Sequence, residues 1–181
     1  FEELNGKSPT AVYGEGDGFK ANGMFQIFED SEKSIWVSSR GTVGSGHGLS
    51  RMRPGESKFH NFTKEDGYPD AKSVASFAQD SSGRIWMGFY EGGLAVYEGG
   101  KFRVFGGNKG LPENGHITDI HIDAESRIWL ATSIDGLFQI KDPAATVPAF
   151  ERVNLGSSAV SDNVRTVTDD RFGRLYLGTA R

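Results

Sequence analysis

A seven-residue turn that begins with aspartate and ends on an aromatic is written four times along this 181-residue chain. The copies are "DSEKSIW" (Asp30 to Trp36), "DSSGRIW" (Asp80 to Trp86), "DAESRIW" (Asp123 to Trp129) and "DRFGRLY" (Asp170 to Tyr176). Their aromatics are spaced by 50, 43 and 47 residues. A period of about 40–50 residues is that of propeller blades, where one supersecondary unit is repeated because each must cover its neighbour's apolar face.

The surroundings repeat too. A short, partly alternating apolar stretch precedes each Asp: "MFQIFED", "VASFAQD", "ITDIHID" and "VRTVTDD". A small or apolar run follows each aromatic, and Gly-Leu then opens another strand at Gly48-Leu49, Gly93-Leu94 and Gly136-Leu137. "KFHNF", "KFRVF" and "AFERV" close the units, which makes four short strands per unit. Strands are expected at 24–30, 34–40, 48–53 and 58–62, then 73–79, 84–90, 93–98 and 101–105. The third unit is expected at 117–123, 127–133, 136–141 and 149–153, and the last at 164–169 and 174–179. The fold class is therefore all-β: a β-propeller of four-stranded antiparallel blades, here a partial one of about four. Blade repeats span 24–62, 73–105, 117–153 and 164–181, with 1–6 as an outer strand of a preceding or closing blade. A propeller left open in this way is expected to self-associate through its end blades.

The turn's spelling has a chemical reason. An Asp at the head of a hairpin is expected to accept hydrogen bonds from amides two or three residues on. Gly83 and Gly173 supply a positive φ, a demand that Lys33 and Ser126 at the same place either lack or tolerate. The rings of Trp36, Trp86 and Trp129 are expected to fill the gap between adjacent sheets. Asp30, Asp80, Asp123 and Asp170, with the three Trp and Tyr176, are thus structural.

Composition agrees and narrows the function. With 25 Gly, 13 Phe and 12 % aromatics, the chain suits short strands and tight turns. A net charge of −4 with no Lys/Arg block argues against a nucleic-acid partner. The absence of Cys excludes disulfides and thiolate metal sites. No run of about 18 apolar residues is present, and "FEELNGKSP" lacks the basic start and apolar core of a secretory leader.

The pattern "D-x-x-G-R-I-W-M-G", with Gly-Gly-Leu shortly after, resembles the two-component regulator propeller repeat. Its best copy is Val74 to Tyr97, Ile117 to Ile140 is nearly as good, and the resemblance covers roughly residues 20 to 181. It implies the periplasmic or otherwise extracytoplasmic sensor of a membrane-anchored bacterial receptor, upstream of a histidine kinase, hybrid kinase or diguanylate cyclase. Well-studied members of that family sense oligosaccharides. The sialidase Asp-box is a look-alike with a shorter Asp-to-Trp spacing, and its arginine cluster and Tyr/Glu pair have no counterpart here. A propeller enzyme of the streptogramin-lyase type would need a His/Glu acid–base pair and a metal on one face, with His47 and His116 the histidines in suitable loops. A plain scaffold for protein contacts is the remaining alternative.

A ligand face is expected from loops 63–72, 106–116 and 154–163 and turns 41–47, 90–92 and 133–135. The first of these turns is enlarged by "RGTVGSGHG", and insertions on one face of a repeat array are often the binding ones. Arg40, His47, Tyr90, Asn114 and His116 supply hydrogen bonds and stacking there for a small sugar or carboxylate ligand. His60 and His121, inside strands, are expected to be structural or exposed. Asp119 and Arg165 are expected to point from inner strands toward the channel, as a polar plug. There is no phosphate loop, metal-spaced His/Asp cluster or Ser/His/Asp set, so no catalytic residue, metal or cofactor is assigned. Glu65, Asp66 and Glu113 are too scattered for an acid–base pair.

Overall fold

The computed structural model describes residues 11–19, 23–39, 48–106, 110–111, 115–156 and 162–180. Among these, all regular structure beyond two short 3-10 turns, Glu15–Asp17 and Lys64–Asp66, is β-strand. The first blade holds β1 (Met24–Glu29), β2 (Ile35–Ser39), β3 (Leu49–Met52) and β4 (His60–Asn61). The second holds β5 (Val74–Gln79), β6 (Ile85–Phe89), β7 (Leu94–Glu98) and β8 (Lys101–Phe105). The third holds β9 (Ile117–Ile122), β10 (Ile128–Thr132), β11 (Gly136–Ile140) and β12 (Phe150–Arg152). A two-stranded fourth sheet pairs β13 (Val164–Asp169) with β14 (Leu175–Thr179). Each sheet is antiparallel in sequence order, and the inner strands β1, β5, β9 and β13 succeed one another as consecutive blades of a partial propeller. The proposed outer strand at 1–6 lies outside the described residues.

The Asp turn is a hydrogen-bond knot. In the second blade, Asp80 Oδ1 accepts from the amides of Ser82 and Arg84 at 3.0 and 3.1 Å. Its Oδ2 accepts from Arg84 Nε at 2.7 Å and Trp86 Nε1 at 2.9 Å. Asp123 repeats all four bonds with Glu125, Arg127 and Trp129. Asp30 repeats the two amide bonds and the one to Trp36, and Tyr176 substitutes its hydroxyl toward Asp170. The amides therefore lie two and four residues on, where two or three were expected. The six-residue spacing to Trp is now explained, because the ring N–H returns to the carboxylate that opened the turn. Burial pushes the Asp123 carboxyl upward, but the Trp129 and Arg127 donors outweigh it and hold its pKa below the ordinary value.

The backbone of the turn is a tight turn followed by a left-handed residue, the three-residue hairpin geometry. Asp80 accepts from Gly83 N and its own amide is bonded to Arg84 O. Gly83 and Gly173 adopt φ of 83° and 73°, and Lys33 and Ser126 are forced to 68° and 63°. The demand for positive φ is thus present and tolerated. Ser126→Gly is expected to stabilise the fold by about 0.5–1 kcal/mol, the left-handed penalty less glycine's added unfolded-state entropy. A higher urea midpoint with an unchanged slope would show it; a lower midpoint would contradict it.

Apolar faces meet between blades. Trp36 stacks on Phe62 (centroids 5.4 Å apart) and meets the edge of Tyr97 from the second blade (5.1 Å). Trp86 joins a buried cluster with Ile117, Ile128 and Leu130 of the third blade, and Trp129 one with Val164 and Val167 of the fourth. The rings do fill the gaps between sheets. Among the described residues the face of β1 lacks such a cover: Met24 and Ile27 are 61 % and 58 % exposed, while Val74, Ile117 and Val164, which repeat Met24, are 0 % exposed.

Candidate functional site

Every inner strand carries a bulge at its second residue. Met24 and Gln26 pair with consecutive residues Ser39 and Ser38, so Phe25 is extra. The same shift leaves Ala75 extra in β5, Thr118 in β9 and Arg165 in β13. A bulge re-aims the extra residue and breaks the ladder locally. All four of these residues line one cavity of about 250 Å³, together with Gln26, Tyr90 and His116. The cavity therefore lies at the heads of the inner strands.

Tyr90 follows β6 and His116 precedes β9. Their rings stack with centroids 3.8 Å apart and planes 29° from parallel, and Phe25 meets Tyr90 edge-on at 5.6 Å. Backbone bonds place both residues: Tyr90 N donates to Ser73 O and Ser133 N to His116 O. Thr118 Oγ1 donates to Val164 O at 2.7 Å, and Ser76 Oγ to Ile117 O at 3.2 Å, tying successive inner strands together below the cavity. What results is an aromatic wall facing a hydroxyl, an amide and a guanidinium, a lining suited to a small polar ligand with a flat face.

Of the residues expected on the ligand face, Tyr90 and His116 are brought together. Arg40, His47 and Asn114 lie outside the described residues. The proposed Asp119–Arg165 plug is a correction. Asp119 Oδ2 accepts instead from Thr166 Oγ1 (2.7 Å) and the Val167 amide (2.9 Å), so it braces the fourth sheet, while Arg165 lines the cavity. The reason is the bulge: one extra residue at Thr118 and at Arg165 sets each apart from its strand's alternation. His121 pairs with Asp169 of the next inner strand at 2.7 Å, and half-exposed His60 lies 3.3 Å from Asp66. Both are structural or exposed, as expected. Among the described residues no three His, Cys, Asp or Glu side chains gather as a metal site would require, and no helix is long and apolar enough to cross a membrane.

Phe25, Gln26, Ala75 and Thr118 were missed by sequence reasoning. The signal was available in the period: Phe25, Ala75, Thr118 and Arg165 are spaced by the same 50, 43 and 47 residues as the turn aromatics. Unlike the aromatics, they share no residue type, which hid them from a search for similarity.

The sequence matches no protein-family model and no curated protein. Solved structures do share its fold. The extracellular domain of the candidate one-component system BT4673 from B. thetaiotaomicron superposes with a TM-score of 0.73 at 19 % identity, over 97 % of this chain and 23 % of that one. That of the candidate hybrid two-component system BT3049 from the same organism gives 0.67 at 24 % identity, over 85 % and 20 %. A streptogramin B lyase gives 0.64 at 14 % identity, over 85 % and 47 %. The chain thus spans less than a quarter of the two chains that hold those extracellular domains and about half of the lyase.

Proposed function

We propose that this chain is part of an extracytoplasmic ligand-sensing propeller of a bacterial two-component receptor, of histidine-kinase or hybrid type. It binds a small molecule, a sugar or oligosaccharide among the candidates, and is itself non-enzymatic, passing ligand state to a phosphorelay output domain elsewhere in the receptor. The observation that carries this reading is the set of four bulges that turn one residue from every inner strand into one cavity beside the Tyr90–His116 stack. Such a cavity touches all four blades, so an occupant is coupled to how the blades sit against each other. The fold it shares with extracellular domains of candidate two-component systems supports the assignment.

A thermal-shift screen against sugars and organic acids tests it. At a hundredfold excess over Kd, a true ligand adds about 2.7 kcal/mol, which for a chain of this size raises Tm by about 5–10 °C. Tyr90→Ala is expected to abolish that rise, read against the variant's own ligand-free Tm, which the loss of the His116 and Phe25 ring contacts lowers. A screen in which no compound shifts Tm would remove the reading.

A lyase of the streptogramin type is a second reading, favoured by one observation: His116 lies in the same cavity. Ring-opening of a streptogramin B by the purified chain, read by mass spectrometry, would establish it in place of the sensor.

The uncovered face of β1 completes the proposal. Met24 and Ile27 occupy positions that a preceding blade covers everywhere else in the repeat, and for the 181-residue chain taken alone we propose a second copy as the cover. Sedimentation velocity at micromolar concentration is expected to show a dimer that Ile27→Glu returns to monomer. A wild-type chain that stays monomeric would contradict it.

A further inference from the structure

We propose that the cavity takes an anionic ligand that carries a ring, a sugar acid, with its carboxylate on Arg165 and its ring against the Phe25–Tyr90 wall; this rests on the cavity being the ligand site. The four bulge positions are not chemically equal. Phe25, Ala75 and Thr118 are neutral, and Arg165 alone of the four is charged. Among the described residues no Asp or Glu lines the cavity. In a chain with net charge −4, that places a cation in a lining whose other described residues are all uncharged or imidazole.

The surrounding hydrogen bonds keep Arg165 available. Asp119, the carboxylate on the adjacent inner strand, already accepts from Thr166 Oγ1 and the Val167 amide. Every other described arginine has a partner. Arg84, Arg127 and Arg174 are bonded to the turn aspartates, Arg53 and Arg152 to Glu56 and Asp162, Arg51 to the Tyr97 hydroxyl. Arg103 donates to the Thr146 carbonyl, and Arg171 lies over the Phe172 ring. Among the described residues, the Arg165 guanidinium has no hydrogen bond, ion pair or ring. Its planar fork matches the two oxygens of a carboxylate. The volume of about 250 Å³ is just under the range of about 300–1,000 Å³ typical of ligand pockets, which limits the occupant to about one ring. Phe25 and Tyr90, fixed edge to face with His116 behind, give that ring an apolar surface.

Galacturonate and galactose differ only in the group at the end of one ring substituent and serve as the probes, titrated calorimetrically into the purified chain. Galacturonate is expected to bind at least tenfold more tightly, with an affinity that falls as salt is raised. Arg165→Gln is expected to remove that preference and leave galactose within twofold; Arg165→Lys restores part of it. Arg165 is exposed, so an unchanged Tm in both variants verifies that folding is intact. Equal binding of the two sugars, or equal weakening of both by Arg165→Gln, would overturn the anionic assignment and leave the cavity as a ligand site. Binding of neither, with no other acid binding, would overturn both.

Discussion

Asp80→Ala is expected to destabilise the chain by about 3–5 kcal/mol, the range for removing one partner of a buried charged network. The carboxylate accepts four bonds, and its removal strands every donor at once. Trp86 is 0 % exposed, so its ring N–H cannot turn to water. The Arg84 side chain is 10 % exposed and keeps one bond, to the Pro143 carbonyl at 2.8 Å, while its Nε loses its partner. An unsatisfied buried donor costs its full desolvation, which exceeds the modest net value of the bond itself. The same substitution at Asp170 is the control. Arg174, its partner, is 66 % exposed, and Tyr176 is half-exposed, so water replaces the lost acceptor and the loss is expected to be a small fraction of that at Asp80. Urea unfolding of the two variants side by side decides it. Equal losses would mean that the knot works through backbone geometry, which both turns share, and that burial of the donors is immaterial. A double-mutant cycle with Trp86→Phe isolates the bond to the ring.

The knot also marks the limit of what the sequence discloses. A turn that recurs in one spelling reflects one fixed set of bonds, so Asp80, Trp86 and their counterparts revealed the blades, and the strands fall within about two residues of expectation. Even the non-glycine residues Lys33 and Ser126 obey the turn's positive φ, because the carboxylate bonds outweigh the local preference. The cavity obeys an opposite logic. Its four bulge residues must differ if they are to recognise a ligand that is not itself repeated, so the search for likeness passed over Phe25, Ala75 and Thr118. A bulge, moreover, is a property of two strands: Phe25 is extra only because Met24 and Gln26 pair with neighbours in β2. Tyr90 and His116 were legible for a different reason. Loop position is set by the repeat, and aromatic and imidazole side chains in such loops suggest binding on chemical type alone. Asp119 bonds to the fourth sheet where a channel-facing plug was expected, because the bulge at Thr118 breaks the alternation of β9.

Gly88→Ala carries the other large effect, and it reaches the cavity. A Cβ there would lie 2.5 Å from Ile117 Cγ2, 2.5 Å from Ser76 Oγ and 2.7 Å from Ile117 Cβ, closer than real contacts allow. Ile117 is fully buried and branched at the contact, so it cannot swing aside; the inner strand must shift. Overpacking of this kind costs about 1–3 kcal/mol. The demand is not shared by every blade: Ser38 and Ala131 hold the same place in the first and third with side chains of their own, while Gly178 keeps glycine in the fourth, where a Cβ would lie 2.6 Å from Thr166 Cγ2. The shift also strikes the bond from Ser76 Oγ to Ile117 O, which holds β9 against β5 directly beneath the cavity. His116 and Thr118 flank Ile117 and both line the cavity, so the site deforms with the strand. Gly88→Ala is therefore expected to weaken ligand binding at temperatures well below its lowered Tm, although Gly88 itself lines no part of the pocket. Combining it with Ile117→Ala should cost less than the sum of the two single changes, because the truncated side chain makes room for the added methyl. Strict additivity would place the strain elsewhere, and full ligand affinity in the folded Gly88→Ala chain would show that β9 can move without disturbing the cavity.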